Sequence, residues 1–294
     1  MKSAEKVTAP DLPPRPASHK RPPLPRLDAP MIRSALMNVM TAAVLKAGRG
    51  LKRDFGEIEN LQVSSKGPGD FVSLADQRAE KILFEELAKA RPGYGFVMEE
   101  SGRVEGTDKA HTWHIDPLDA TTNFLHAIPI FAISIALERD GQIVAGVVYN
   151  PADDSMYVTE KGQGAWGANR RLRVAGRTDL SQALIGCGVP HLGKAAEHPR
   201  FKAELAVVMT QVVNVRRLGC ASLDLAFVAA GRFDAFWERG LQSWDIAAGA
   251  LLIREAGGYV SDADGNPDFL AVGSICCGNE TMHRQLLALL RKAG

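Results

Sequence analysis

The chain is poor in several things that would define a narrower class of protein. It has only four cysteines, Cys187, Cys220, Cys276 and Cys277, and no C-x-x-C pair. That spacing supports neither a zinc site nor a disulfide scaffold, and it suits reduced thiols in a cytoplasmic protein. No apolar run reaches the roughly 20 residues of a membrane span. Net charge is almost nil, at +1 for 294 residues, so nothing global favours nucleic acid or an anionic membrane. A phosphorylated ligand would need a local device. The seven histidines show no ligand spacing; His111 and His114, either side of Trp113, read as strand-edge residues. No internal repeat recurs at a fixed period.

Hydrophobic residues make up 46% and charged residues 23%, a globular balance, and the length allows one large domain or two packed subdomains. Residues 1–30 stand apart, with eight prolines interleaved with basic residues. Proline removes donors and blocks helix, so we expect a disordered or polyproline-like tail, either a solvated extension or a docking arm. It has no apolar core of a secretory signal.

From Asp28-Ala29-Pro30, a cap followed by a first-turn proline, apolar residues at helical spacing predict a helix to about Lys52. Residues 62–72 read as a loop or hairpin tip. Ser73 and Asp76 have the spacing of a capping box for a second helix, which Arg91-Pro92-Gly93 ends. Strands follow. Residues 130–137 and 143–149 flank the turn Asp140-Gly141, and further pieces lie at 156–158 and 164–166. Beyond that, strands at 183–189, 212–218, 233–237 and 270–276 alternate with helices at 196–210, 221–230, 244–255 and 280–292. Such an order predicts layered α+β architecture.

Acids cluster where elements change. Glu99 and Glu100 follow the apolar run Phe96-Val97-Met98; Asp116 follows Trp113-His114-Ile115; Asp119 lies three residues on; Asp245 opens a helix. Carboxylates at strand ends and helix starts can share one crevice and hold a hard cation such as magnesium, which uses one or two carboxylates with water and phosphate. In Asp116-Pro117-Leu118-Asp119 the proline holds the chain in a turn, so both acids and the Leu118 carbonyl can face one site. Ala120-Thr121-Thr122 then opens a helix or turn whose free N–H groups suit phosphate. A bare D-x-x-D would equally suit an N-cap and turn without metal. The full string to Asn123-Phe124 asks for more.

With Glu99-Glu100-Ser101, Asp116–Phe124 and Trp244-Asp245-Ile246-Ala247-Ala248-Gly249 in this order, the sequence resembles the inositol monophosphatase family from about residue 31 to 292. The resemblance implies a layered αβαβα sandwich of the sugar phosphatase type over 31–294, in two subdomains of about 31–180 and 181–294. It implies a magnesium-dependent phosphoric monoester hydrolase, inhibited by lithium, paired as a homodimer, acting on a small phosphate ester with two or three Mg²⁺ per subunit. Glu99, Asp116 and the Leu118 carbonyl are implied ligands of one ion, and Asp116, Asp119 and Asp245 of a second. Glu99 is also implied in a weaker third site, near which Asp76 matches the family's acid; otherwise Asp76 is a helix cap. Thr121 is implied to pair with Glu99 in orienting and deprotonating a metal-bound water.

Substrate contacts are implied for Asp119, the amides of Ala120 and Thr121, backbone at Gly219 and Ala221, Asp245, and Glu238, which matches an inositol-hydroxyl ligand and otherwise is a solvated strand-end charge. The expected reaction is hydrolysis of myo-inositol monophosphate. Alternatives are fructose 1,6-bisphosphate, nucleotide 3′-phosphate or histidinol phosphate, or a regulatory binding protein on the same fold with vestigial activity. Two departures stand out. Ala120 replaces the family's glycine, and we expect it to be the first helical residue, where alanine is harmless. Cys220 replaces Ser or Thr in Arg217-Leu218-Gly219-Cys220-Ala221-Ser222, a weaker hydrogen-bonding partner that reads as a packed thiol near the substrate.

Overall fold

The computed structural model describes residues 34–57, 63–67 and 70–294. The proline-rich segment and the Asp28 cap lie outside the described residues. A hairpin of β1 (Val63–Gly67) and β2 (Asp70–Ser73) is followed by an eight-stranded sheet of β3 (Gly95–Met98), β4 (Gly102–Val104), β5 (His111–Asp119), β6 (Ala132–Arg139), β7 (Gln142–Asn150), β8 (Ser155–Glu160), β9 (Ala165–Gly167) and β10 (Arg170–Arg171). Its order is 10-9-8-7-6-5-3-4, antiparallel except where β3 runs parallel to β5. A second sheet holds β11 (Leu184–Cys187), β12 (Asn214–Arg216), β13 (Ala235–Arg239), β14 (Tyr259–Ser261) and β15 (Ser274–Gly278), in the order 12-11-13-15-14.

The helices are α1 (Ala35–Phe55), α2 (Leu74–Ala90), α3 (Thr121–Leu125), α4 (His198–Val208), α5 (Ala221–Ala229), α6 (Ser243–Glu255), α7 (Phe269–Val272) and α8 (Glu280–Lys292). Along β6 the pleat divides the side chains. Ile133, Ile135 and Leu137 enter a core with α1 and α2, while Ala132 and Ala136 enter a core with α5 and α6. That second core also takes Phe236 and Ile275 from the small sheet, whose other face is covered by α4 and α8. Five layers result, αβαβα, and the fold is α+β as its pattern implied. The motif Ala247-Ala248-Gly249 has a packing reason: a Cβ on Gly249 would sit 2.5 Å from that of Leu225, so only glycine lets α6 lie this close to α5.

The hairpin, the capping box at Ser73 and Asp76, and most strand and helix positions match the sequence expectations. In the described chain Ser34 caps α1, accepting from the Met37 N–H at 2.9 Å. Residues 270–276 are not one strand. The short α7 ends on Gly273 at φ +69°, a left-handed cap, and β15 begins only at Ser274. Nor are His111 and His114 strand-edge residues: β5 lies between β6 and β3, inside the sheet. No helix among the described residues is long and apolar enough to cross a membrane.

Candidate active site

The acidic string occupies the end of β5 and its exit into α3. Glu99, Asp116, Leu118, Asp119, Ala120, Thr121, Thr122, Asn123, Arg217, Gly219 and Asp245 line one pocket of about 170 Å³. Asp116 is almost wholly buried, and its Oδ1 accepts from the Leu118 N–H at 2.9 Å, the turn that Pro117 enforces. Asn123 fastens the string to the neighbouring loop, donating to the Ile130 and Leu218 carbonyls at 2.8 and 2.9 Å.

Asp119 is held on one side. Its Oδ2 accepts from the Ser222 N–H at 2.7 Å, the Ser222 hydroxyl at 2.6 Å and the Cys220 thiol at 3.2 Å. Cys220 is therefore a packed thiol, fully buried, with burial and the Asp119 charge pushing it well above the usual thiol range. Asp245 completes a capping box at the start of α6, its Oδ2 accepting from the Gln242 N–H at 2.7 Å.

These acids repel one another. Asp116 is pushed well above the usual carboxylate range by burial, then by Glu99, Asp119 and Asp245. Asp119 is raised by burial. Asp245 is raised to about 8 by loss of solvent and the Asp119 charge. Lys194 pulls against the rise at Asp245 and hydrogen bonds pull against it at Asp119, but burial prevails at both. Crowded carboxylates of this kind fit a cation. Among the described residues no three ligating side chains already close into a metal cluster.

Thr121 is tied to Asp76. Its hydroxyl reaches Asp76 Oδ1 at 3.0 Å and the Leu118 carbonyl at 3.2 Å. Asp76 is fully buried, and its Oδ2 accepts from the N–H and hydroxyl of Ser73. It is thus a helix cap and a partner of Thr121 at once, with burial raising its pKa.

Ala120 corrects the sequence expectation. It has φ 74° and ψ 48°, outside α3 and in the left-handed region, because the chain must reverse between Asp119 and Thr121. The family's glycine suits that conformation without strain. Asp76, Ala221 and Glu238 do not line the pocket that gathers the others. The Ala221 N–H is directed to Asp119, and Glu238 lines a neighbouring cavity of about 420 Å³. Burial, then Asp245 and Asp119, push Glu238 up to about 8, against the opposing pull of Arg217 and Lys194. Sequence reasoning missed Arg217 as a lining residue and Ser222 as the holder of Asp119. Their place in the R-x-G segment was the available signal.

Comparison with known proteins agrees with this geometry. The model described as the inositol monophosphatase family matches residues 33–294. An inositol-1-monophosphatase of Mesorhizobium japonicum is 65% identical over 262 residues, 89% of this chain and 98% of that protein. The protein named Nus factor SuhB of Pseudomonas aeruginosa is 40% identical over 259 residues, 87% and 96% of the two chains. The crystal structure of the extragenic suppressor protein suhB of Bartonella henselae superposes with a TM-score of 0.86 at 54% identity, covering 88% of this chain and 99% of that one.

Proposed function

The chain belongs to the inositol monophosphatase family, and on that premise we propose that it hydrolyses myo-inositol monophosphate to inositol and phosphate with magnesium. It is a phosphoric monoester hydrolase; the particular alcohol and the metal are the parts proposed. One observation carries them: Glu99, Asp116, Leu118, Asp119 and Asp245 line one pocket with Ala120 and Thr121. Those oxygens would hold two or three magnesium ions. When bound, such ions lower the pKa of water and offset charge on phosphate and leaving alcohol.

The protein supplies the rest. The Thr121 hydroxyl donates to Asp76, which leaves its oxygen lone pairs to accept from the attacking water. Asp76, its pKa raised by burial, takes the proton through that hydroxyl. Water oxygen joins phosphorus as the ester P–O bond breaks on the opposite side, its electron pair leaving on the inositol oxygen, which takes a proton from solvent while Asp76 returns the water's proton to solvent. The N–H groups of Ala120 and Thr121 hold the phosphate oxygens. Glu238 accepts from a hydroxyl of the inositol ring. A pairing of two copies and inhibition by lithium belong to the same proposal.

Replacing Asp116 with Asn tests the metal assignment. Magnesium-dependent phosphate release should fall more than about 100-fold, since a buried charged ligand is lost. Unchanged release would remove Asp116 from the site. A panel of inositol, sugar and nucleotide phosphates then fixes the alcohol. A second reading, a role as a Nus factor, is favoured by the name of the Pseudomonas relative. Transcription antitermination assayed with Asp116→Asn separates the two, because a binding role survives that change.

A further inference from the structure

His114 sits on β5 two residues before Asp116, nearly buried at 6% exposure. One ring nitrogen, Nδ1, lies 2.8 Å from the Ser243 hydroxyl; the other, Nε2, lies 2.9 Å from Glu138 Oε2. Ser243 is the first residue of α6, two before Asp245, and Glu138 stands on β6. The two ring nitrogens thus find partners on two different elements, and the hydrogen bond with His114 holds Glu138 below the usual carboxylate range. A parallel bond joins the same two layers: the Ser134 hydroxyl on β6 donates to the Trp244 carbonyl at 3.0 Å.

We propose that Glu138, His114 and Ser243 form a positioning relay that sets the start of α6, and with it Asp245, against the strand end bearing Asp116 and Asp119. The inference rests on the magnesium reading above. Asp116 and Asp119 come from the large sheet, whereas Asp245 comes from a helix laid across it. The start of that helix therefore has to be held in place against the strand end. The relay holds it inward by a chain of directed bonds from the sheet. None of its three members lines the acidic pocket, so they act through Asp245. Groups that orient metal ligands are worth about 10- to 100-fold in affinity when they touch the ligand directly. One step further out, about 5- to 10-fold is expected, the worth of one hydrogen bond.

The test uses the full chain with Ser243→Ala and Ser243→Thr. Manganese binding is followed by electron paramagnetic resonance and displaced by magnesium. Ser243→Ala should bind the ion that uses Asp245 about 5- to 10-fold more weakly, and Ser243→Thr, which keeps the hydroxyl, should restore it. At saturating metal the KM for the phosphate ester should stay unchanged in both, which a general loosening of the fold would not allow. Wild-type binding by Ser243→Ala would overturn the relay alone. Absence of binding by the unaltered protein would overturn the metal reading and the relay together. A serine–histidine–glutamate chain is also the layout of an activated nucleophile. Covalent labelling of Ser243 by a fluorophosphonate would overturn the positioning role in favour of that one.

Discussion

Gly188 follows β11 directly beneath Glu238. A Cβ placed on it would lie 1.7 Å from the Glu238 carboxyl carbon and 1.9 and 2.2 Å from its two oxygens. No side chain can share that space. Its backbone is outside the left-handed region, so Gly188→Ala introduces no torsional strain of that kind. The carboxyl, at the end of a flexible side chain, has to retreat by roughly 2 Å to reach ordinary contact distance. Leaving a buried hydrogen-bonding group unpaired costs about 1–3 kcal/mol, which is about 5- to 150-fold in kcat/KM. Gly188→Ala should therefore lower kcat/KM for inositol monophosphate by that factor. An aryl phosphate, which has no ring hydroxyl for Glu238, should lose less than about threefold. Steady-state kinetics on both substrates read the split. In a Glu238→Ala background the glycine substitution should add almost nothing, because the displaced group is already gone. Equal losses on the two substrates, or full additivity, would refute the placement of Glu238 as the alcohol-binding acid.

Other outcomes follow from the same site. Ala120→Gly should raise the thermal midpoint by about 1–3 °C, since left-handed alanine costs about 1–2 kcal/mol and glycine flexibility returns about 0.5–1; a lower midpoint in calorimetry would show that the strain is absent. Cys220→Ser should keep a donor on Asp119 and hold kcat within about twofold, and a thiol reagent should not modify Cys220 in the folded protein; rapid modification contradicts its burial. The metal-free protein should lose stability as pH rises from about 4 to about 8, because folded Asp245 keeps a proton that the unfolded chain releases near 3.8. Magnesium should cancel that loss and release protons on binding, checked by thermal melts with chelator or magnesium at pH 5, 7 and 9. A flat profile without metal would contradict the crowding of the acids.

What could be read from the chain was what is local. The string from Asp116 to Phe124 carries its own turn, and Ser73 with Asp76 carries its own cap. Both appear where spacing put them. The misreadings share a cause, dependence on distant partners. Whether Ala120 is helical depends on where α3 must go after β5, and the direction is set by packing against two cores. His114 looked peripheral because sequence does not say which strand is central. Thr121 finds Asp76, 45 residues away, only once α2 is laid beside β5. Residues 270–276 were apolar enough for a strand, and a single left-handed glycine divides them.

The helix that carries Asp245 is sandwiched between the two sheets, and its inner face is built of alanine and glycine because both neighbours press on it. One of the four acids of the pocket, Asp245, thus hangs on a layer that exists only when both sheets are in place. A partly melted chain that keeps the acidic string but loses this layer lacks the geometry of the site. Turnover thus reports complete assembly of both layers.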